Sequence, residues 1–137
     1  MISVELARRL RDGGLKWTPA PGDRFVVADR DMDDDVFTLS EMTVEVHQFP
    51  NGSVIGFNGT TEWALDSIDE RQSIWLPSES QMRERLAGTF RRLERANGSW
   101  QVTIEVAGRR VSVAHADAAE AYGLALLHLV TGEEVAA

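Results

Sequence analysis

The pattern that most constrains the fold lies near the end of the chain, where two runs alternate apolar and polar residues. The runs WQVTIEV and RVSVAHA stand on either side of Ala107 and Gly108. Because successive side chains of a strand point to opposite faces, this alternation predicts two half-buried β-strands joined as a hairpin. One face of the hairpin is predicted to be apolar, with Trp100, Val102, Ile104, Val106, Val111 and Val113.

An apolar helix is predicted directly after this hairpin. Asp117 and Glu120 have the spacing of a capping box, in which side chains accept the free N–H groups of a first helical turn. Residues 118 to about 130 are rich in alanine and leucine, and Gly132 is a typical helix end. Because this segment is apolar on most sides, we expect it to lie at the centre of the core.

The first half of the chain predicts a short helix and then an antiparallel meander. Ser3 is a typical N-cap for the helix, which we expect to end at Gly13 and Gly14. Asn51 and Gly52 predict a tight turn between the last two strands of the meander. The four β-type runs cover residues 24–28, 36–40, 42–49 and 53–57.

The middle of the chain predicts two further helices with a short strand between them. The first helix is expected over residues 62–68, and the run SIWL follows as a strand. Ser78 and Gln81 match a second capping box. The apolar residues that follow at helical spacing predict one helix that ends near Asn97 and Gly98. These residues are Met82, Leu86, Phe90 and Leu93.

Together these elements predict a single α+β domain over residues 1–137. An antiparallel meander and a C-terminal β-hairpin supply the sheet, and three to four helices pack against it. A seam between two lobes is the alternative, near residues 71–77. We favour one domain, because neither half alone has much core.

Composition and charge exclude several functional classes. The chain has no cysteine, which excludes disulfides, thiolate metal sites and cysteine nucleophiles. Its net charge of −8 argues against sequence-independent binding to nucleic acid or to an anionic membrane. No apolar run approaches the roughly 20 residues that span a bilayer, and the first residues do not read as a signal peptide. We therefore expect a cytoplasmic protein with neither nucleic acid nor membrane as a partner.

The stretch IGFNGTTEWALDS has two interpretations. Glycines before a predicted helix resemble part of a phosphate-binding loop. However, the Walker pattern is absent, and Glu62 in the first helical turn would repel a phosphate. We favour a turn at Asn58 with Thr60 or Thr61 as the helix cap, and with Trp63 packed in the core.

Acidic and histidine residues form no complete metal or catalytic motif. Residues 29–35 are rich in aspartate, but they lack the glycine and glutamate of a calcium-binding loop. Glu45 and His47 share one face of a predicted strand, which we interpret as a solvent-exposed sheet face. We therefore predict no catalytic residue, no metal site and no cofactor. The candidate ligand-binding residues are Glu45, His47, Asn58, Thr60, Thr61, Glu62, Trp63 and Trp75.

Arginines and tryptophans are the other residues that suggest a surface with a function. Five arginines, at positions 83, 85, 91, 92 and 95, fall on the predicted central helix among glutamates. We favour a salt-bridged solvent face over a phosphate-binding strip. The chain also has four tryptophans. Tryptophan is enriched at interfaces, although core packing is its more frequent role.

Four segments resemble a group of short actinobacterial proteins that are labelled CpaE-like pilus assembly proteins. The segments are GLKWTPAPGDRF, FNGTTEWALDSI, WLPSESQMRERL and EAYGLALLHL. The CpaE of that label is similar to ParA/MinD-type ATPases, whose phosphate loop requires glycines and lysines before a helix. That loop is missing here, and Lys16 is the single lysine. The resemblance therefore implies no ATP-binding residue and no activity.

Two functions of different class fit these observations. The first is a bacterial binding or adaptor protein without catalytic machinery, which forms a homodimer or binds a protein partner. The second is a small ligand-binding enzyme or hydrolase that uses Glu45, His47 and Glu62 in a cleft over the sheet. We favour the first, because the sequence contains no assembled catalytic set beside its tryptophans.

Overall fold

The structure is a computed structural model of the chain, and it describes all residues except 28–34, 40–43, 50–51, 58–66, 70–72 and 133–137. Its helices are α1 (Val4–Asp12), α2 (Glu79–Leu86) and α3 (Ala118–Thr131), with a 3₁₀ turn at Ala87–Thr89. Its strands are β1 (Arg24–Val27), β2 (Phe37–Thr38), β3 (Val44–Phe49), β4 (Gly52–Phe57), β5 (Ser67–Asp69), β6 (Ser73–Leu76), β7 (Phe90–Ala96), β8 (Ser99–Val106) and β9 (Arg109–His115). The predicted α+β class is confirmed, with three α-helices in the described part of the chain.

The described strands form three antiparallel sheets, in the orders β2-β1-β6, β3-β4-β5 and β7-β8-β9. The predicted hairpin between β3 and β4 is present. By its contacts the chain divides into two compact units. The first unit comprises Met1–Lys16 and Pro77–Ala137, and the second comprises Trp17–Leu76. That the two units act as one domain stays a prediction.

The second unit has an aromatic core beside β1. Phe25, Val27 and Leu39 are buried, and Trp17 and Phe37 pack against them. Asp23 is also buried, and its carboxylate accepts hydrogen bonds from Trp17 Nε1 at 2.8 Å and from the Ala20 N–H at 3.0 Å. A buried carboxylate with two donors is stabilised in place, so Asp23 fixes the tryptophan loop against the sheet.

The first unit is built around α3, as its apolar sequence predicts. This helix packs against α1, α2, β8 and β9, and its residues 121–127 are all buried. On the facing sheet Val102 pairs with Val113 and Ile104 pairs with Val111, which confirms the predicted apolar face of the hairpin. The predicted N-cap is present, since Asp117 accepts from the N–H groups of Ala119 and Glu120. The predicted capping box is incomplete, because the Glu120 carboxylate accepts from Ser3 and the Asp117 N–H donates to His115 instead.

The cap of α3 gives a first testable prediction. Asp117→Ala should lower the free energy of unfolding by about 1 kcal/mol, because it leaves helix N–H groups without their acceptor. Urea denaturation followed by circular dichroism measures this change. Asp117→Asn is the matched control, because asparagine caps about as well as aspartate, and an equal loss in both variants would contradict the assignment.

The long central helix predicted from Met82, Leu86, Phe90 and Leu93 is wrong in its second half. The capping box of Ser78 and Gln81 is present, but α2 ends at Leu86. Ala87 then turns the backbone to a φ of 51°, and β7 runs antiparallel to β8. Cross-strand pairing with an apolar neighbour therefore outweighs helical spacing in this segment.

The residues expected to end that helix form a hairpin turn instead. Asn97 and Gly98 have φ values of 52° and 77°, and Ala107 and Gly108 have 53° and 80°. Two successive positive φ values match the type I′ turn, which suits the twist of antiparallel strands. The C-terminal hairpin is thus extended by β7 into a three-stranded meander.

The helix predicted over residues 62–68 is wrong at its end. Ser67 and Ile68 belong to β5, where Ile68 pairs with Ile55 of β4. Residues 62–66 lie outside the described residues. A partner strand again determines the conformation of a short apolar segment that has no strong periodicity of its own.

Candidate binding groove

The candidate residues from the sequence fall mainly in the second unit. Glu45 and His47 lie in β3, with their backbones opposite Gly56 and Val54 of β4. The remaining candidates of this region, Asn58, Thr60, Thr61, Glu62 and Trp63, lie outside the described residues. Their assignment as ligand-binding residues stays a prediction.

Trp75 lies in β6 and is 8% exposed. Its ring stacks on that of Trp17, with centroids 6.5 Å apart and planes inclined by 9°. This packing is the ordinary role of a tryptophan in a core. A ligand-binding role for Trp75 stays a prediction.

A groove of about 450 Å³ lies in the first unit, between the last turns of α3 and the β8–β9 hairpin. Its volume falls within the range of small-molecule sites in proteins. Most of the side chains along it are apolar, and two are basic. The lining residues are Val106, Ala107, Arg109, Val111, His128, Leu129 and Gly132.

Both walls of the groove follow from local sequence signals. Arg109 and Val111 are two apart on β9, so they share the sheet face that packs against α3. On the helix side, Gly132 adopts a left-handed φ of 71° and its N–H donates to the His128 carbonyl at 2.8 Å. The Thr131 hydroxyl donates to the Leu127 carbonyl at 2.7 Å. The last turn of α3 is therefore closed, and it holds His128 and Leu129 against the hairpin.

The two basic side chains of the groove lack partners within the described part of the protein. Nδ1 of His128 is buried and has no hydrogen-bond partner there. Arg109 has no carboxylate partner there, whereas Arg91 and Arg110 on the same sheet both pair with Glu105. A buried polar atom without a partner is uncommon and costs free energy. The groove thus combines apolar walls with the exposed guanidinium of Arg109, whereas Nδ1 of His128 is not accessible from it.

The described lining residues supply no nucleophile and no acid. Among them none has a carboxylate, a hydroxyl or a thiol side chain. His128 therefore has neither a nucleophile to activate nor an orienting acid among the described residues of the groove. The described residues also contain no cluster of three histidine, aspartate or glutamate side chains that could bind a metal ion.

The arginines assigned to one helix are distributed over two elements. Arg83 and Arg85 lie on α2, while Arg91, Arg92 and Arg95 lie on β7. The predicted salt-bridged face of one helix is therefore wrong, although ion pairs of Arg91 and Arg92 form on the sheet. Its ion pairs are Arg91–Glu105 at 2.9 Å, Arg92–Glu94 at 3.1 Å and Arg110–Glu105 at 3.5 Å. The hydrogen bond and the charge of Arg91, with a smaller contribution from Arg110, hold the pKa of the Glu105 carboxyl below its ordinary value.

This lowered pKa predicts how stability depends on pH. The ionised carboxylate of Glu105 is favoured in the folded chain, so its contribution is present above the unfolded pKa and is lost as pH falls through the folded pKa. Glu105→Gln should therefore flatten the acid side of a profile of melting temperature against pH. Glu84→Gln, which removes the same charge from an exposed site on α2, serves as the control. Equal flattening by both variants would contradict the role of Arg91.

Comparison with known proteins adds no assignment. Protein-family models, curated proteins and solved structures yielded no match to the chain. The similarity to CpaE-like proteins stays a prediction. None of the described helices combines the length and apolar character needed to cross a membrane.

Neither His128 nor Arg109 is among the candidate residues predicted from the sequence. A signal for each exists in the sequence. His128 interrupts the apolar run of the helix, and Arg109 alternates with Val111 and Val113 along one strand.

Proposed function

We propose that this chain is a small binding protein without catalytic machinery, and that the groove between α3 and the β8–β9 hairpin is its ligand site. The observation that supports this function most directly is the groove itself, whose described lining is mostly apolar and includes the exposed guanidinium of Arg109. A ligand with an apolar body covers that lining and removes it from water.

The apolar walls support the same proposal. Val106, Val111 and Leu129 line the groove on both sides and are each partly exposed. Covering partly exposed apolar surface contributes roughly 25 cal/mol per Å² removed from water. A ligand that covers these side chains therefore gains binding free energy from the groove as it stands in the structure.

The tryptophans give less support to a protein interface than the sequence suggests. Trp17 and Trp75 stack on each other, and Trp100 is partly covered by the Arg95 guanidinium, 5.4 Å from its ring centroid. The large hydrophobic residues exposed in the described part of the chain are Met1 and Val36. A homodimer or protein partner stays a prediction, and sedimentation equilibrium tests the dimer.

The alternative of a small hydrolase depends on Glu45, His47 and Glu62 meeting at one site. Its requirement is convergence on a shared substrate atom or water within hydrogen-bond distance. This alternative stays a prediction from the sequence.

A titration with a neutral apolar probe tests the proposed function. With isoleucine, leucine and valine methyl groups labelled for NMR, added benzyl alcohol should shift the methyl signals of Val106, Val111 and Leu129 and should saturate. The methyl groups of Val27 and Leu39, which are buried in the second unit, are the internal control. Groove signals that stay unchanged, or that move no more than the controls, would refute the assignment.

A further inference from the structure

We propose that β9 pairs with the β9 strand of a second copy of this chain, so that two three-stranded sheets join into one sheet of six strands. This inference concerns the backbone edge of the strand and does not depend on the proposed ligand groove. In the sheet order β7-β8-β9, β9 lies at an edge, and one side of its backbone has no partner among the described strands. Such an edge is a template for pairing with another chain.

The register of the hairpin identifies the backbone groups of β9 that are directed away from β8. Val106 and Arg109 flank the two-residue turn, so they exchange backbone hydrogen bonds with each other. Hydrogen-bonded and non-hydrogen-bonded pairs alternate along an antiparallel ladder, so Arg110, Ser112 and Ala114 occupy non-hydrogen-bonded positions opposite β8. Their N–H and C=O groups therefore point to the open edge, and all three residues are exposed.

The two edges of this sheet differ in their protection against pairing. At the other edge, β7 has a register irregularity between Phe90 and Arg92 and carries four charged residues. Bulges and exposed charges are the features by which natural proteins block an edge strand. In contrast, β9 keeps a continuous register with β8, and its arginines are confined to Arg109 and Arg110 at its first two positions. The rest of β9 is thus an unprotected edge.

A second copy fits this edge because β9 is complementary to itself. In an antiparallel pairing centred on Ser112, Arg110 lies opposite Ala114 of the second copy, so the free N–H and C=O groups of both strands meet. On the other face of the strand, Val111 lies opposite Val113 of the second copy. Apolar cross-strand pairs of this kind stabilise a sheet, and no arginine faces an arginine in this register.

The charges at the two ends of β9 also favour the antiparallel arrangement. Arg109 and Arg110 begin the strand, whereas Asp117 and Glu120 follow its end, at the start of α3. Antiparallel pairing therefore brings the basic end of each strand beside the acidic residues of the other copy. A parallel pairing would bring like charges together. The edge thus matches a second copy in its backbone groups, its apolar side chains and its charge.

Cysteine crosslinking of the full chain tests this pairing, because the chain has no cysteine of its own. In the proposed register the Cα atoms of the two Ser112 residues face each other at about 5.5 Å. Ser112→Cys should therefore form a covalent dimer with a short bis-maleimide crosslinker. Arg92→Cys is the matched control, because Arg92 and Ser112 are both exposed and both pair with Thr103 of β8. It should give no covalent dimer under the same conditions.

Two substitutions at one edge position separate pairing through β9 from other self-association. Sedimentation equilibrium of the unmodified chain should show a dimer whose fraction rises with concentration. Ala114→Lys places a cation opposite Arg110 of the second copy, twice in each dimer, and should weaken dimerisation about tenfold. Ala114→Glu introduces a long side chain of opposite charge and should not weaken it. Because Ala114 is exposed, both variants should keep their fold, which circular dichroism checks.

Each contrary result overturns the inference in its own way. A chain that stays monomeric at every concentration has no second copy on β9, even if the edge binds a strand of another protein. A dimer that crosslinks through Arg92→Cys and not through Ser112→Cys uses the other edge. Equal dimerisation of the two Ala114 variants excludes the proposed register. The titration of the groove with benzyl alcohol is a separate test, and its failure would leave this inference in place.

Discussion

Leu126→Ala should lower the free energy of unfolding by about 2–5 kcal/mol, the usual cost of truncating a buried leucine. Leu126 is 1% exposed and lies in the buried stretch of α3 that packs against β8, β9 and the other two helices. Truncation removes apolar contacts and leaves a cavity that surrounding elements from several directions cannot fill at once. Urea denaturation monitored by circular dichroism gives the change directly.

Leu126→Met is the control for this prediction. Methionine keeps nearly the same volume and flexes into irregular space, so its cost should stay below about 1.5 kcal/mol. A loss of less than about 1 kcal/mol in the alanine variant would show that α3 is not the centre of the first unit.

Gly123→Val is expected to destabilise the chain by about 1–3 kcal/mol through overpacking. A Cβ atom at Gly123 would lie 2.5 Å from Leu6 Cδ2 of α1 and 3.8 Å from Met82 Sδ of α2. Leu6 and Met82 are themselves buried, at 3% and 0% exposure, so they have little room to move away. The gain in helix propensity over glycine is less than about 1 kcal/mol and does not offset the clash.

Gly88→Val is the matched substitution for Gly123→Val. Gly88 lies in the exposed 3₁₀ turn, where an added Cβ meets nothing within 4 Å. Its effect should remain near the 0.5 kcal/mol typical of surface changes. If both valine variants lose the same stability, the close approach of α1 to α3 is not what makes Gly123 sensitive.

The sequence was most informative where one periodic pattern had no competitor. The apolar face of the β8–β9 hairpin was predicted correctly, because apolar residues such as Val102 and Val113 alternate with polar ones along both strands. The secondary-structure prediction failed at Phe90 and Leu93. Their spacing from Leu86 fits a helix, but both residues lie in β7. The same Asn97 and Gly98 that suggested a helix end are also the strongest short hairpin signal, and the pairing with β8 decides between them.

The groove could not be predicted because its two walls belong to different elements, the β8–β9 hairpin and α3. Arg109 is the first residue of β9 and His128 lies in the last turns of α3, and only the packing of α3 on the hairpin brings them to one cavity. Periodicity assigns each residue to a face, but it does not measure the space left between two faces. The candidate residues predicted from the sequence, among them Glu45, His47 and Asn58, come from local patterns for that reason.

A long-range ¹H–¹⁵N spectrum of the histidine side chains tests the central claim most directly. When benzyl alcohol is added to the full chain, the imidazole resonances of His128 should shift and saturate, because this side chain lines the groove. The imidazole of His115, whose Nδ1 accepts a hydrogen bond from the Asp117 N–H at 3.0 Å, should stay in place. Unchanged His128 resonances at saturating benzyl alcohol would contradict the groove as a binding site.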